Sequence, residues 1–147
     1  MPLFPMKCVV VPIDLSESSA AAVAAALELV SQPGDVHVLH VVLPSSSFSP
    51  EGEWAPLGEG ETVGSASRQR LADYLQQHHF AGVTQDVRFG DPGTAVADYA
   101  QKQSADLIVI PSHGYHGFKR MMLGSVAEHL IRHCDCAVLV LHRRDAK

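Results

Sequence analysis

Short apolar runs without polar alternation recur along the chain, and they restrict its fold more than any other feature. A continuous run of β-branched and aliphatic residues is typical of a strand buried on both faces, as in parallel sheets. A weaker candidate at 83–89 carries Gln85, Asp86 and Arg88, so we place it at an edge of the sheet. The stronger runs cover residues 7–13, 36–43, 106–110 and 137–141.

The segments between these runs have helical features. Ser16 is a suitable N-cap for an alanine-rich segment, and Asp91 followed by Pro92 is a typical cap and first helical residue. Strands that alternate with helices predict an α/β fold with a doubly wound, five-stranded parallel sheet and helices on both faces. We expect one domain over residues 1–147, with helices over 18–30, 65–79, 92–102 and 125–133 and a surface loop over 44–60.

Composition and charge argue against several classes of function. The chain has a formal net charge of −5 and no block of Lys and Arg, whereas proteins that bind nucleic acid present a basic stripe to the phosphates. Cys8, Cys134 and Cys136 form an odd set without disulfide spacing, which favours a reducing compartment. The N-terminus lacks the pattern of a signal peptide, and no apolar run reaches the roughly 20 residues of a membrane helix. We therefore expect a cytoplasmic protein that binds neither nucleic acid nor membrane.

Candidate ligand-binding residues follow the predicted strands at their carboxyl ends. Asp14 follows the first run, and His40 and Val41 lie near the end of the second. Pro111 follows the run at 106–110. In an open α/β sheet, ligands bind outside the carboxyl ends, at the point where the strand order reverses. If the strands before Asp14 and Pro111 are neighbours, these residues converge on one crevice.

Three glycines, Gly114, Gly117 and Gly124, come after Pro111, and Gly124-Ser125 directly precedes a predicted helix. Free backbone N–H groups and the helix dipole favour an anion at such a point, and a glycine lets a phosphate approach the backbone closely. A capping box from Ser125 to Glu128 explains the same residues equally well. The chain has neither a P-loop sequence nor a glycine-rich dinucleotide motif after its first strand.

Histidines and cysteines near the C-terminus superficially resemble a metal site. His129 and His133 lie one helical turn apart, with Cys134 and Cys136 beyond them. Histidines at a helix end also oppose the helix dipole, and a cysteine beside an apolar strand behaves as a small hydrophobe. We therefore predict no metal at these residues.

The segment from Pro111 to Gly124 carries further titratable residues. His113 and His116 suit an ordinary loop role or a phosphate contact. Lys119 and Arg120 suit either charge balance for a polyphosphate or a solvated surface. Because no general base is evident beside the glycines, we predict no catalytic residue and expect any hydrolysis to be slow.

Several sequence blocks in the order seen here resemble the universal stress protein family. They include VVPIDLSESS at 10–19, GDP at 90–92, ADLIV at 105–109, SHG at 112–114 and LGSVAE at 123–128. The family's ATP-binding members carry a glycine, two residues, a second glycine, nine residues, and then glycine with serine or threonine. Pro111, Gly114 and Gly124-Ser125 occupy the corresponding positions. The chain is thus similar to the ATP-binding subgroup, with proline at the first motif position.

The resemblance implies an adenine nucleotide alpha hydrolase-like fold with parallel strands in the order 3-2-1-4-5. It implies ATP as the ligand, accompanied by Mg²⁺, or AMP or cyclic AMP in its place. It also implies a homodimer paired through strand 137–141, a role in the stress response and an unnamed protein partner. In this family pattern Asp14 meets the ribose, the Val41 backbone meets the adenine, and the motif glycines meet the phosphates. The implied binding residues are Pro12, Asp14, Val41, Pro111, Gly114, Gly124, Ser125 and Val126.

Pro111 departs from the motif, which has glycine at that position. Proline lacks a backbone N–H and has a φ near about −65°, but it keeps its carbonyl oxygen. A ligand contact through the carbonyl survives, whereas a contact through the N–H is lost. Two alternatives to an ATP-binding module stay open: a nucleotide-independent dimeric interaction protein of the same fold, and a slow ATPase.

Overall fold

Strands and helices alternate along the chain in a computed structural model, which describes residues 4–43, 56–58, 61–111 and 124–142. The elements in chain order are β1 (Val9–Ile13), α1 (Glu17–Leu27), a 3₁₀ turn (Pro33–Asp35), β2 (Val36–Val42), β3 (Pro56–Gly58), β4 (Glu61–Thr62), α2 (Val63–Gln77), β5 (Thr84–Phe89), α3 (Pro92–Lys102), β6 (Leu107–Pro111), α4 (Ser125–His133) and β7 (Ala137–Leu141). Within these ranges, no helix combines the length and apolarity needed to cross a bilayer.

Five of the strands form one parallel sheet in the order β5-β2-β1-β6-β7. Numbered along the chain among themselves, these strands have the order 3-2-1-4-5, so the predicted fold class and strand order are confirmed. The polar strand β5 occupies one edge, as its charged residues indicated. The order reverses between β1 and β6, and the carboxyl ends of these two strands flank the reversal point.

β1 pairs unequally with its two neighbours. Its register with β2 extends from Val9 opposite Val36 to Ile13 opposite His40. Its register with β6 covers only Val9 opposite Leu107 and Val10 opposite Ile108. The carboxyl halves of β1 and β6 therefore separate, and this separation opens a cleft at the reversal point.

The core consists of two apolar layers, one on each face of the sheet. Val9 and Val11 of β1 pack on the face covered by α1 and α2, whereas Val10 packs on the face covered by α3 and α4. Helices therefore cover both faces, as predicted. The largest side chains that are almost fully buried are Val9, Val10, Val11, Val23, Val36, Val38, Leu39, Leu71, Val96, Ile108, Val109 and Leu130.

Local capping determines where α1 and α3 begin. The Ser16 side chain accepts a hydrogen bond from Ser19 N, and the Asp91 side chain accepts one from Thr94 N, so both predicted caps are confirmed. The predicted end of α1 is wrong: the helix stops at Leu27, and Val30 instead forms a parallel β-bridge with Met6. The alanine-rich sequence has no strong breaker before Pro33, so its apolar spacing overestimated the helix length.

The segment predicted as a surface loop contains some regular structure. β3 and β4 form a short antiparallel pair, which the sequence did not indicate, and residues 44–55 and 59–60 lie outside the described residues. α2 begins two residues before the predicted start, because Thr62 and Ser65 cap each other reciprocally. Ser65 N donates to Thr62 Oγ1 at 3.1 Å, and Thr62 N donates to Ser65 Oγ at 2.9 Å.

Ser67 of α2 provides a test of this packing. Its side chain is fully buried, and its Oγ has no hydrogen-bond partner among the residues that the structure describes. Ser67→Ala removes an unpaired buried hydroxyl and improves helix propensity, so we expect the free energy of unfolding to rise by about 1 kcal/mol. Urea denaturation measures this change in the free energy of unfolding. Ser65→Ala is the matched control, which removes a paired hydroxyl from the same helix and should lower stability. A loss of stability in Ser67→Ala would contradict the packing described here.

Candidate functional site

A pocket lies in the cleft at the carboxyl ends of β1, β2 and β6, beneath the start of α4. The structure brings most of the sequence-predicted binding residues together around it. Gly114 is the exception, because residues 112–123 lie outside the described part of the chain. The described lining consists of Pro12, Ile13, Asp14, Ser19, Val41, Ile110, Pro111, Gly124, Ser125, Val126 and Ala127.

Asp14 supplies the negative charge of this pocket. Its Oδ1 accepts hydrogen bonds from Ser16 N at 3.0 Å and from Ser19 Oγ at 2.7 Å. Burial by itself raises the pKa of Asp14, but the hydrogen bonds from Ser16 and Ser19 outweigh it and leave the pKa below its ordinary value. Asp14 is therefore ionised at neutral pH, and the hydrogen bonds from Ser16 N and Ser19 Oγ converge on its Oδ1.

The turn that carries Asp14 is held in an unusual backbone conformation. Leu15 has a φ of 65°, a left-handed conformation that is uncommon for a residue other than glycine. Tyr74 of α2 donates from its hydroxyl to Ser16 O at 2.6 Å. Burial, reinforced by the charges of Glu17 and Asp14, raises the pKa of Tyr74 to about 12, so the phenol keeps the proton it donates. α2 thus anchors the turn between β1 and α1.

The opposite side of the pocket is the start of α4. Gly124 is the N-cap of this helix, and as a glycine it has no side chain that could make a capping hydrogen bond. The alternative of a capping box from Ser125 to Glu128 is therefore excluded: Ser125 is the first helical residue, and the Glu128 carboxylate accepts from Arg132 at 3.0 Å instead. The box would have required Ser125 to stand one position earlier relative to the helix start.

The uncapped start of α4 leaves backbone donors directed at the pocket. The first N–H groups of a helix have no intrahelical acceptor, and the first three residues of α4, Ser125, Val126 and Ala127, all line the cavity. Gly124 has a φ of −60° and a ψ of 154°, which any residue can adopt. Its backbone conformation does not require glycine, so what glycine contributes is the space left by a missing side chain. An anion at this point would satisfy the donors.

α3 determines how closely α4 lies against the rest of the fold. Gly93, in the first turn of α3, packs directly on the His129 ring of α4. A Cβ atom at Gly93 would stand 2.8 Å from His129 Cγ, closer than packed carbon atoms approach. The small residue in α3 therefore allows the separation of α3 and α4 that places the start of α4 over the cleft.

Sequence reasoning missed four lining residues: Ile13, Ser19, Ile110 and Ala127. Three of them are apolar and, with Val41, form the apolar part of the wall. Ser19 had a signal in the sequence, because it lies five positions after Asp14 on the first turn of α1. The pocket thus combines a carboxylate on one side, an apolar wall, and the backbone N–H donors of a helix start on the other side.

The histidines and cysteines near the C-terminus lie away from this pocket, in a groove between α3 and α4. The rings of His129 and His133 are 4.5 Å apart. Burial raises the pKa of Cys134 to about 11, and nearby Cys136 and Asp135 add to the shift, so the thiol stays protonated. Among the described residues, no group of three or more metal-ligating side chains is close enough to hold an ion. His113, His116, Lys119 and Arg120 lie outside the described residues.

Comparison with known proteins identifies the class of protein that this fold and pocket define. The model of the "Universal stress protein family" matches residues 6–142. The chain is 32% identical to universal stress protein G of Shigella flexneri over 142 residues, covering 92% of this chain and 98% of that protein. The chain therefore belongs to the universal stress protein family, as the sequence blocks indicated.

Solved structures of the family share the fold. The universal stress protein UspA from Lactobacillus plantarum superimposes with a TM-score of 0.68 at 23% identity, covering 92% of this chain and 97% of that one. A universal stress protein in complex with cAMP gives a TM-score of 0.61 at 21% identity, covering 93% and 97%. The protein from Archaeoglobus fulgidus in complex with dAMP gives 0.55 at 19% identity, covering 90% and 95%.

The two serines at helix starts provide a test of the capping assignments. Ser16→Ala removes the side-chain cap of α1, so we expect the free energy of unfolding to fall by about 1 kcal/mol. Ser125→Ala changes the first helical residue of α4 without removing a cap, so stability should stay the same or rise slightly because alanine is the better helix former. Chemical denaturation of the two variants measures the difference. Equal losses in both would mean that Ser125 caps α4.

Proposed function

We propose that this protein is a binding module for adenine nucleotides, ATP first among them, and that it uses the pocket at the reversal point. One observation carries the proposal: an ionised carboxylate and an uncapped helix start face the same cavity, with an apolar wall joining them. Structural neighbours in complex with cAMP and dAMP support an adenine nucleotide as the ligand.

Each part of the pocket suits one part of a nucleotide. The Asp14 carboxylate accepts hydrogen bonds from ribose hydroxyls, since an ionised carboxylate is an acceptor only. The wall at Val41 offers backbone polar groups and an apolar surface to the adenine. The N–H groups of Ser125 and Val126 donate to phosphate oxygens, and the helix dipole favours their charge. Gly114 is proposed as a further phosphate contact from its position in the motif.

Pro111 fits this assignment despite its departure from the motif. It is the last residue of β6, where it pairs with Leu141 of β7, and it lines the pocket. The fixed φ of proline is compatible with the end of a strand. Its carbonyl oxygen stays available as an acceptor, so the substitution removes one donor from the site. If the loss of this N–H donor abolished nucleotide binding, the protein would instead be a nucleotide-independent interaction protein.

We assign the pocket to binding rather than to catalysis. Asp14 is the one ionisable side chain among the described lining residues, and its lowered pKa makes it a weak general base. ATP would arrive with Mg²⁺ held by its own phosphates. Steady phosphate release by the purified protein, well above background, would instead indicate the slow ATPase.

The proposed location is the cytoplasm. Cys8, Cys134 and Cys136 are all free thiols in the structure. Burial, with Asp106 and other nearby negative groups, raises the pKa of Cys8 to about 11. Cysteines that are not paired in disulfides suit a reducing compartment. The regulatory role in a stress response is proposed from the family alone.

Gly124→Arg tests the nucleotide site. A long cationic side chain at the N-cap would fill the space that glycine leaves open, while the backbone angles of Gly124 tolerate it. We expect the wild-type protein to bind ATP with Mg²⁺ in calorimetric titration and to release nucleotide on denaturation. Binding should fall by at least about 100-fold in Gly124→Arg, since the charge-assisted contacts of a phosphate with helix N–H groups are lost.

The matched control is Gln103→Arg, which adds the same side chain at the exposed C-cap of α3. α3 ends near the amino ends of the strands, far from the pocket, so this variant should bind ATP as the wild type does. If the wild type carries no nucleotide and shows no heat at millimolar ATP, the proposal is overturned and the nucleotide-independent alternative is favoured. Unchanged binding in Gly124→Arg would mean that the phosphates lie elsewhere.

We also propose that the protein forms a homodimer through β7. The two edges of the sheet differ in character. β5 is protected by charge, with Arg88 forming an ion pair with Asp86 at 2.9 Å. β7 is an apolar edge strand whose Leu139 is 38% exposed. An unprotected apolar edge promotes pairing with another strand, and pairing across a two-fold axis would cover it.

Leu139→Lys tests the dimer. A two-fold axis brings both copies of the substitution into one interface, which loses apolar burial twice and gains like charges. We expect the dimer dissociation constant to rise by about 100-fold or more in sedimentation equilibrium. Gln85→Lys, on the opposite edge strand, is the control and should leave the dimer intact. A wild-type protein that is monomeric at every concentration measured would refute the dimer.

A further inference from the structure

Ser19 is joined to Asp14 by two hydrogen bonds. Its Oγ donates to Asp14 Oδ1 at 2.7 Å and accepts from Asp14 N at 3.0 Å. The residue lies in the first turn of α1 and is only 1% exposed, although it contributes to the pocket wall. Through Ser19, α1 is therefore hydrogen-bonded to both the backbone and the carboxylate of Asp14.

This pairing limits what Ser19 can do itself. A serine hydroxyl has one proton, and here that proton is directed at Asp14 Oδ1. The oxygen already accepts from Asp14 N, and Ser16 Oγ lies 3.4 Å away. Ser19 thus has no proton to donate to a ligand, and any effect it has on a ligand passes through Asp14.

The other hydrogen bonds of the turn between β1 and α1 also fix the position of Asp14. Ser16 N donates to Oδ1 as well, so two donors hold one oxygen of the carboxylate. Tyr74 holds the carbonyl of Ser16 from the other side. Two donors on one oxygen restrict the rotation of the carboxylate of Asp14, which lines the pocket.

We propose that Ser19 is the positioning residue of the nucleotide site, and that it sets selectivity for ligands with free sugar hydroxyls by orienting Asp14. The inference rests on the proposed nucleotide binding and deepens it. Without Ser19 the carboxylate of Asp14 can rotate about its side-chain bonds. Ligand binding must then restrict this rotation, and the entropy cost weakens the contact with the sugar. Contacts to the adenine and the phosphates do not depend on this hydrogen bond.

The experiment compares ATP with 2′,3′-dideoxy-ATP, which lacks both sugar hydroxyls. We expect the wild type to prefer ATP and Ser19→Ala to bind ATP about tenfold more weakly, the effect of one hydrogen bond to a charged group. Affinity for the dideoxy compound should stay unchanged in the variant. A merely structural role for Ser19 would weaken both ligands alike and leave their ratio as it is.

Ser18→Ala is the matched control. Ser18 lies on the same turn, and its Oγ is 2.9 Å from Ser16 Oγ rather than from Asp14. This variant should keep the wild-type ratio. If Ser19→Ala does not fold, as judged by circular dichroism, Ser19→Cys replaces it. That side chain has nearly the same volume but a weak S–H donor, so the preference for ATP should again fall.

A ligand-free readout accompanies the titrations. The pKa of Asp14, followed by NMR of its carboxyl carbon, should rise in Ser19→Ala because a donor to the charged form is lost. The lowered folded pKa contributes stability at neutral pH that disappears as the pH falls through it, so the variant should also lose part of its acid dependence of stability. An unchanged pKa would overturn the positioning role.

The outcomes separate the two proposals. If the wild type binds neither nucleotide, the proposed function fails, and the role of Ser19 in it fails too. If the wild type binds ATP and Ser19→Ala keeps the full preference over the dideoxy compound, nucleotide binding stands and the inference about Ser19 is overturned. A reduced preference together with a raised pKa of Asp14 supports both.

Discussion

The limited pairing of β1 with β6 is the constraint on which the pocket depends. These central strands share only the registers of Val9 with Leu107 and Val10 with Ile108, whereas β1 stays paired with β2 through Ile13. Beyond that point the backbones diverge, and the helices on opposite faces of the sheet begin at the rim of the opening. A sheet that stayed paired to its ends would have no cleft between Asp14 and the start of α4.

Two departures from ordinary local structure provide the polar groups of this cleft. α4 begins at Gly124 without a capping side chain, although Ser, Thr, Asp or Asn would stabilise that position by roughly a few tenths of a kcal/mol. Leu15 adopts a left-handed backbone conformation that costs free energy, next to a carboxylate held by Ser19. Stability is thus reduced on both sides of the pocket, at the residues that a bound nucleotide would contact.

The sequence predicted the sheet and the helices well because their signals are local. Continuous apolar runs gave the strands, Ser16 and Asp91 gave helix starts, and the charges of Asp86 and Arg88 gave the edge position of β5. Prediction failed where the local signal was weak or ambiguous. The apolar residues Leu29 and Val30 concealed the end of α1 at Leu27, and Ser125 with Glu128 suggested a capping box that the helix start excludes.

The sequence by itself determined the fold class, the family and most residues of the candidate site, since periodicity, caps and motif spacing act over short stretches of chain. Only the tertiary structure decided that Gly124 occupies the N-cap position of α4, that β1 and β6 separate, and that Ser19 is hydrogen-bonded to Asp14. The separation of β1 and β6 depends on register between strands almost 100 residues apart in the chain. The cap and the Ser19 bond depend on backbone angles and hydroxyl directions, which packing sets and residue type alone leaves open.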